Sequence, residues 1–183
     1  MRETNAIVLT EAGNSFVLGS HHLRFMDPLR YRVSTRFGAM GQAVAGVIGA
    51  ALSADKAVAI VGDGAMLMLN EISTAAQYRI PAVWIVLNDA RYGMIANGMA
   101  SLGWKPFATD FPETDFVAIA RAMGADGVRV EREEEVDSAL QAAMSATGPF
   151  VVDVLIDRSE APPANRRNQS LVRQGAAGTG GRS

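Results

Sequence analysis

Two carboxylates that follow two apolar runs are the feature of this sequence with the clearest chemical potential. Asp63 lies between two glycines directly after the run AVAIV, and Asp89 follows Asn88 at the end of the run PAVWIVL. Glycines let a backbone approach a ligand closely, and carboxylate oxygens are hard ligands that suit Mg²⁺. Because Mg²⁺ completes its octahedron with phosphate and water oxygens, the pattern predicts a magnesium site that serves a diphosphate-bearing ligand. The alternative is turn and helix-cap chemistry, for which Asp-Gly and Asn-Asp pairs are common.

The chain around these acids predicts a strand, a helix and a second strand. Both apolar runs lack a polar face, as the strands of a parallel sheet covered by helices do. A right-handed crossover places the carboxyl ends of two such strands side by side, where open α/β sheets bind ligands. We therefore expect Asp63 and Asp89 to meet at one edge of the sheet. The residues at helical spacing between the runs are Leu69, Ile72, Ala76 and Ile80.

The rest of the sequence alternates in the same way and predicts an α/β fold, a parallel sheet with helices on both faces in a single domain over residues 1–157. Gly46, Gly49 and Ala50 would give one helix a small-residue face for close packing. Residues 158–183 have the composition of a disordered tail or a partner-binding arm. Further strands are expected at 5–10, 31–35, 126–130 and 149–157, and helices at about 15–23, 37–52, 116–124 and 131–146.

Length and composition exclude several classes of protein. The 183 residues, 49% of them apolar, suffice for one domain with a substantial core. Seventeen basic and nineteen acidic residues give a net charge of −2, which argues against nucleic acid or a membrane surface as partner. There is no cysteine, so disulfides and cysteine nucleophiles are excluded. The start has no signal-peptide pattern and no apolar run is long enough for a membrane span, so a cytoplasmic protein is expected.

Three further motifs each have two interpretations. The turn Gly13-Asn14-Ser15 at a helix start either binds an anion through its free amides or is a plain helix cap. His21 and His22, the two histidines, face different sides of a helix and cannot chelate one ion together; a surface or capping role is favoured over a place at the mouth of an active site. Trp104 and Phe107 belong either to an apolar connecting segment or to a segment near a substrate.

The strand that ends in Gly62-Asp63-Gly64, the helix and the second strand with its Asn88-Asp89 end resemble the thiamine diphosphate motif. Residues 5–157 are similar to the cofactor-binding domain of the acetolactate synthase and pyruvate decarboxylase group, which implies thiamine diphosphate and Mg²⁺ as cofactors. In that family the GDG aspartate, an asparagine after the second strand and a main-chain carbonyl two residues further on bind the magnesium. The resemblance thus implies Asp63, then Asp89 or its rival Asn88, and the carbonyl of Arg91. An aspartate at the asparagine position adds a negative charge, which is expected to tighten magnesium binding.

The loop Gly38-Ala39-Met40-Gly41 matches the GxMG loop of that family. The resemblance implies that the Gly38 carbonyl bonds the aminopyrimidine amino group, and that Met40 is the apolar wedge that bends the cofactor. Bending brings the amine against the thiazolium carbon, where it acts as a base. A dinucleotide-binding loop is the competing interpretation, but the segment lacks GxGxxG spacing. The other cofactor contacts that the resemblance implies are Gly13, Asn14, Ser15, Gly62, Asp63, Gly64, Ala65, Asp89, Tyr92, Gly93 and Met94.

The resemblance covers the pyrophosphate-binding domain alone. In these enzymes a separate pyrimidine-binding domain, contributed by another subunit, supplies the glutamate that protonates the aminopyrimidine ring, so no catalytic residue is certain in this chain. We expect the cofactor-binding subunit of a split, acetolactate-synthase-like carboligase that acts on a 2-oxo acid. A partner subunit would carry the other domain in a hetero-oligomer with two or four copies of each chain, or the sequence is a fragment of a longer polypeptide. The alternatives are a 2-oxo acid decarboxylase subunit, a non-catalytic regulatory subunit and a nucleotide-binding module.

Overall fold

The computed structural model describes residues 5–68, 71–160 and 162–163, which form a sheet with helices on both faces. The sheet has six strands in the order β2-β1-β3-β4-β6-β5, and all five pairs of neighbouring strands run parallel. The predicted α/β fold with a parallel sheet is therefore confirmed. The strands are β1 (Ile7–Thr10), β2 (Tyr31–Val33), β3 (Ala57–Gly62), β4 (Ala82–Asn88), β5 (Asp126–Val130) and β6 (Phe150–Leu155).

The connections between the strands are mostly helical. None of the described helices is long and apolar enough to pass through a lipid bilayer. The α-helices are α1 (Asn14–His22), α2 (Gln42–Ala51), α3 (Asp63–Met66), α4 (Ile72–Gln77), α5 (Gly93–Ser101), α6 (Phe116–Ala122) and α7 (Val136–Ser145), and short 3₁₀ turns lie at Pro28–Arg30 and Glu133–Glu135.

Two apolar clusters, one on each face, hold the layers together. Alternate residues of β4 enter different clusters: Trp84 packs with α2, α4 and α6, whereas Val83 packs with α7. The Trp84 indole nitrogen also donates a 2.9 Å hydrogen bond to the carbonyl of Val44 in α2. Because its side chains are buried on both faces, the central strand reads as an unbroken apolar run.

The helix predicted over 37–52 begins only at Gln42. Gly38 and Gly41 have φ values of 62° and 94°, in the left-handed region, so the chain cannot enter a right-handed helix before Gln42. A Cβ on Gly41 would also lie 3.0 Å from the Cβ of Met68. The five residues before α2 are consequently free to form a loop at the edge of the sheet.

The small-residue face predicted for α2 packs only in part. Ala50 packs against the core, and a Cβ on Gly46 would lie 3.6 Å from the Leu9 side chain of β1. Gly46 and Gly49 are exposed, and nothing lies within 4 Å of a Cβ built on Gly49. The helix instead buries Val44 and Val47, which are fully enclosed between α2 and the strands. Side-chain burial, rather than close backbone approach, determined which face turned inward.

The amphipathic segment predicted between β3 and β4 forms two helices, α3 and α4, rather than one. Helix α4 ends at Gln77, and Arg79, with φ of 52°, turns the chain back. Ile80 therefore reaches the core from outside any helix, and Leu69 lies outside the described residues. Helix α5 was not among the predicted helices.

Only the first part of the tail predicted at 158–183 is described, and its first residue is held against the domain. The Arg158 guanidinium donates a 2.6 Å hydrogen bond to the carbonyl of Asp89. Arg158 therefore belongs structurally with the loop after β4. The prediction for residues 161 and 164–183 lies outside the described residues.

Candidate functional site

A cavity of about 480 Å³ lies at the carboxyl edge of the sheet. The turns after β1, β3 and β4 and the loop before α2 converge on it, because parallel strands all end at this edge. The structure thus brings together most of the residues that the sequence singled out. Those lining the cavity are Gly13, Asn14, Ser15, Gly38, Met40, Gly62, Asp63, Gly64, Ala65, Arg91, Tyr92, Gly93 and Met94.

Sequence reasoning missed four residues that also line this cavity: Ala12, Leu87, Ile95 and Ile156. Ile156 follows β6, and its amide donates a 3.0 Å hydrogen bond to the carbonyl of Asn88. The strand order would have identified Ile156, since the end of β6 neighbours the end of β4. These four side chains make part of the cavity wall apolar.

Asp63 is fixed at the centre of the edge by three main-chain amides. One carboxylate oxygen accepts from the Gly64 amide at 2.7 Å, and the other accepts from the amides of Asp89 at 3.1 Å and Arg91 at 3.3 Å. The residue is only 2% exposed. These bonds tie the end of β3 to the loop after β4 and orient the carboxylate.

Burial makes the charged form of Asp63 unfavourable. Loss of solvent raises the pKa of this carboxyl to about 6, the Gly64 amide opposes that rise, and the nearby charge of Asp89 adds to it. The two acids lie close together, since the Asp89 amide is 3.1 Å from the Asp63 carboxylate. A buried carboxylate with a second acid beside it is the environment that a divalent cation relieves.

The two rival residues at the end of β4 differ in surroundings. Asn88 is buried, and its amide nitrogen donates to a carboxylate oxygen of Asp153 at 2.9 Å and to the Thr114 carbonyl at 3.1 Å. The carboxylate of Asp89 instead accepts a 2.8 Å bond from Arg91 Nε. The side-chain oxygen of Asn88 accepts from the Ala90 amide at 3.4 Å. Neither Asn88 nor Asp89 is among the residues lining the cavity, so the choice between them stays a prediction.

The carbonyl of Arg91, the residue whose amide bonds Asp63, is held in a tight turn. The Gly93 amide donates to this carbonyl at 2.8 Å, and Tyr92 has the φ and ψ of an inverse γ-turn, −75° and 73°. A carbonyl oxygen has a second lone pair for another partner. Within the described part of the chain, no group of three or more histidine, aspartate or glutamate side chains could hold a metal. A cation at Asp63 and Asp89 would need further oxygens, as Mg²⁺ beside a diphosphate has.

Two glycines leave space that any side chain would fill. A Cβ on Gly64 would lie 2.8 Å from the Tyr92 ring, and a Cβ on Gly93 would lie 2.9 Å from the amide nitrogen of Asn14 and 3.1 Å from Asp89 Oδ2. Glycine at both positions therefore keeps the cradle between Asn14, Asp89 and Tyr92 open.

The N-terminus of α1 has features of an anion site. Gly13 has φ of 101°, and no side chain of the described residues caps the helix. The Ser15 hydroxyl is buried at the cavity wall and, among the described residues, has no hydrogen-bond partner. Free amides and an unpartnered hydroxyl suit a phosphate, and the absent side-chain cap favours the anion interpretation of this turn.

Of the remaining candidate residues, one lines the cavity and four do not. Met40 is 45% exposed and lines the cavity, with its sulfur 3.7 Å from the Cβ position of Gly64. His21 and His22 are the last residues of α1, far along the helix from the cavity, and are exposed. Trp104 and Phe107 are 41% and 82% exposed and are not among the residues lining the cavity. The wedge role of Met40 stays a prediction.

Glu11 is a buried acid whose role sequence reasoning missed. It is 1% exposed, and one carboxylate oxygen accepts from the Ala43 amide at 3.2 Å, in the first turn of α2. Burial raises the pKa of Glu11, and hydrogen bonds from the amides of Ala43, Gly41 and Gln42 oppose the rise. Glu11 therefore ties the turn after β1 to the glycine loop. Two features of the sequence could have identified this role. Glu11 precedes a glycine turn, and the residue before α2 is Gly41, which has no side chain to cap the helix.

The stability of the chain should depend on pH through Glu11. Because the folded-state pKa lies above the unfolded value, this group stabilises the fold below the unfolded pKa and loses that contribution as pH rises through the folded pKa. We expect the free energy of unfolding of the native chain, relative to Glu11→Gln, to fall as pH rises from the ordinary pKa of a glutamate into the neutral range. Urea denaturation of both proteins without metal measures it, and a constant difference across this range would contradict the assignment.

Filling the cradle at Gly93 should weaken cofactor binding. We expect Gly93→Ala to displace Asn14 or Asp89, because the new Cβ would lie within 3.1 Å of both side chains, and to weaken binding of magnesium and thiamine diphosphate about tenfold or more. The matched control is Gly98→Ala in the same helix, where nothing lies within 4 Å of the new Cβ. Calorimetric titration measures both, and equal affinities for the two variants would contradict the prediction.

Comparison with known proteins identifies relatives of the whole described domain. Residues 11–154 match the family model described as thiamine pyrophosphate enzyme, C-terminal TPP binding domain, where TPP is thiamine diphosphate. A Mycobacterium tuberculosis protein provisionally named an acetolactate synthase large subunit is 35% identical over 92% of this chain. Acetolactate synthase of Bacillus subtilis is 32% identical over 86% of the chain, and sulfoacetaldehyde acetyltransferase of Castellaniella defragrans is 31% identical over 88%.

These relatives are much longer than the sequence described here. The matched region covers 30% of the Mycobacterium protein and 28% of each of the other two. The similarity therefore concerns one domain of each relative.

Proposed function

Because this chain belongs to the thiamine diphosphate enzyme family, as a C-terminal cofactor-binding domain of the acetolactate synthase type, we propose that it binds thiamine diphosphate through Mg²⁺. Asp63, Asp89 and the Arg91 carbonyl would hold the cation. The observation that carries the proposal is the convergence of the GDG turn, the loop after β4 and the GxMG loop on one cavity. The proposed activity is that of a carboligase acting on a 2-oxo acid.

Each part of the cavity wall suits a different part of the cofactor. The amides at Gly13 and Asn14 and the unpartnered hydroxyl of Ser15 can donate to the diphosphate. Gly38 and Met40, on the loop whose glycines adopt left-handed conformations, would contact the aminopyrimidine side and shape the cofactor. The fit is supported by the donors, by the two acids and by the space that glycine leaves at positions 64 and 93.

Thiamine diphosphate, when bound, supplies an electron sink, because the negative charge left by decarboxylation of a 2-oxo acid is delocalised into its thiazolium ring. The residues of this chain would bind the cofactor and orient it. Glu11 braces the GxMG loop from below, Asp63 fixes the loop after β4, and the apolar wall at Leu87 and Ile156 limits water on one side. Correct positioning of a reacting group accounts for much of the rate in such reactions.

We further propose that a pyrimidine-binding domain completes the active site and that a partner subunit carries it. Apolar side chains on and beside the cavity are exposed, namely Phe37 at 91%, Met40 at 45%, Met68 at 52% and Ile95 at 58%. Clustered exposed apolar residues mark interaction surfaces. The greater length of the relatives also supports a further domain. A hetero-oligomer with two or four copies of each chain is the proposed assembly.

Experiments can distinguish the proposed carboligase from two alternative functions. A decarboxylase would share every residue discussed here, since only an acceptor pocket separates the two reactions. A non-catalytic regulatory subunit would retain the fold without using the cavity. The acetolactate synthases among the relatives favour the carboligase.

Calorimetric titration of the chain with thiamine diphosphate tests the proposal. Binding is expected with Mg²⁺ and should be lost when EDTA replaces it, whereas a nicotinamide or adenine nucleotide should give no heat. Adding the candidate partner should restore release of carbon dioxide from pyruvate or another small 2-oxo acid, and an added acceptor should trap the product of carboligation. Absence of magnesium-dependent binding, alone and with the partner, would overturn the proposal.

A further inference from the structure

Arg91 forms a largely buried ion pair with one of the two acids. Its Nε lies 2.8 Å from Asp89 Oδ2, and the side chains of Arg91 and Asp89 are 16% and 8% exposed. Ala90 between them has φ of 51°, an uncommon left-handed value for a residue with a Cβ. This conformation folds the chain so that residues two apart face each other. The pair is therefore built into the loop.

The guanidinium is also held on its other side. Arg91 Nη2 donates a 2.6 Å bond to the Arg158 carbonyl and lies 3.5 Å from the side-chain oxygen of Asn97. Arg158 in turn donates to the Asp89 carbonyl at 2.6 Å. These contacts fix a positive charge against the carboxylate that a cation at Asp63 would share.

The ion pair changes the charge of the proposed metal site. Asp63 and Asp89 alone carry two negative charges, but with Arg91 the three side chains sum to one negative charge. That equals the charge of one aspartate with a neutral asparagine, which is the pattern the sequence resemblance implies. The extra carboxylate is thus offset from within the same loop.

We propose that Arg91 is an internal counter-ion that lowers the affinity of this site for divalent cations by pairing with Asp89. The inference rests on the proposed magnesium site. A cation that binds between Asp63 and Asp89 must share Asp89 with a guanidinium and must tolerate its positive charge at short range. Arg91 therefore opposes the tighter binding that the extra carboxylate alone would give.

The test measures binding of Mn²⁺ alone to the full chain, from the electron paramagnetic resonance signal of the free ion. Mn²⁺ stands in for Mg²⁺ because it also prefers oxygen ligands. We expect Arg91→Gln to bind Mn²⁺ about tenfold more tightly than the native chain, because it leaves two uncompensated carboxylates. The matched control is Arg121→Gln, which removes an equal charge from an exposed pair with Asp126 at the opposite edge of the sheet, and should change the affinity less than about twofold.

A second variant keeps the inference testable if Arg91→Gln unfolds, which circular dichroism would reveal. Asp89→Asn keeps an oxygen for Arg91 but leaves the positive charge of its guanidinium uncompensated beside the cation, and should weaken Mn²⁺ binding about tenfold or more. The double variant, with the same net charge as the native site, should return to within about threefold of native affinity.

The outcomes separate the inference from the proposed function. Native binding with unchanged or weaker binding by Arg91→Gln, or equal tightening by Arg121→Gln, would overturn the role of Arg91 alone. An affinity of Asp89→Asn equal to that of the native chain would do the same. Binding by Arg91→Gln but not by the native chain would support the counter-ion in its strongest form. If neither binds Mn²⁺, the proposed metal site and this inference both fail.

Discussion

Asp63→Ala is expected to abolish magnesium-dependent binding of thiamine diphosphate. The Asp63 carboxylate is the group that joins the end of β3 to the loop after β4, through the amides of Gly64, Asp89 and Arg91. Its removal would take away one proposed ligand and release the loop that carries the other two. Losing groups that merely orient ligands costs 10–100-fold in metal affinity, so losing the ligand itself should cost at least about 100-fold.

The same substitution should cost little stability in the absence of metal. Burial and Asp89 hold the pKa of Asp63 at about 6, so near neutral pH the chain bears an unfavourable ionised carboxylate, and its removal offsets the loss of three hydrogen bonds. Calorimetry gives the affinity and thermal melting gives the stability. Asp55→Ala, an exposed acid just before β3 at the opposite edge, is the control and should bind normally. Undiminished cofactor binding by Asp63→Ala would remove the basis of the metal site.

The strands and the position of the site could be predicted because they depend on simple patterns. Apolar runs ended by Gly62-Asp63 and Asn88-Asp89 mark β3 and β4, and both strands end within one residue of the predicted position. Once two parallel strands are neighbours, their carboxyl ends must share an edge. Placement of Asp63 and Asp89 near one another followed from this topology alone.

The start of α2 and the division between α3 and α4 could not be predicted from periodicity. Apolar spacing shows which residues face a core, but it does not show where φ becomes positive. Gly38 and Gly41 in left-handed conformations keep the GxMG loop out of the helix, and Arg79 ends the segment after α4 in the same way. The core still buries Ile80. The apolar pattern therefore identified a core residue even where the predicted helix was wrong.

Helix α5 and the position of Arg158 depend on contacts between distant parts of the chain. Asn97 and Gly98 are poor helix formers, and the N-terminus of α5 is fixed by a 2.8 Å hydrogen bond from the Tyr92 amide to the Thr109 carbonyl. The bond from Arg158 to Asp89 joins residues 69 positions apart. No local pattern encodes such pairs, and the ion pair with Arg91 went unforeseen because the sequence gives no sign of where its guanidinium points.

The sequence left open whether Asn88 or Asp89 is the metal ligand. In the structure the two side chains have different hydrogen-bond partners. Asp153 is fully buried; one of its oxygens accepts the 2.9 Å bond from Asn88, and Arg129 lies 3.8 Å from the other. Burial raises the pKa of Asp153, and the bond from Asn88 is the foremost opposing influence. Asn88 thus stabilises a buried carboxylate behind the loop that carries Asp89, the proposed ligand.

We therefore expect Asn88→Ala to lower the free energy of unfolding by about 2–4 kcal/mol, because it removes the side-chain donor to a buried carboxylate. Asp89→Asn keeps an oxygen for Arg91 and should change the free energy of unfolding by less than about 1 kcal/mol, while weakening Mn²⁺ binding. Urea denaturation without metal and Mn²⁺ titration of the folded proteins measure the two effects. If Asn88→Ala instead lost Mn²⁺ binding at unchanged stability, Asn88 would be the ligand, through the side-chain oxygen that accepts from the Ala90 amide at 3.4 Å.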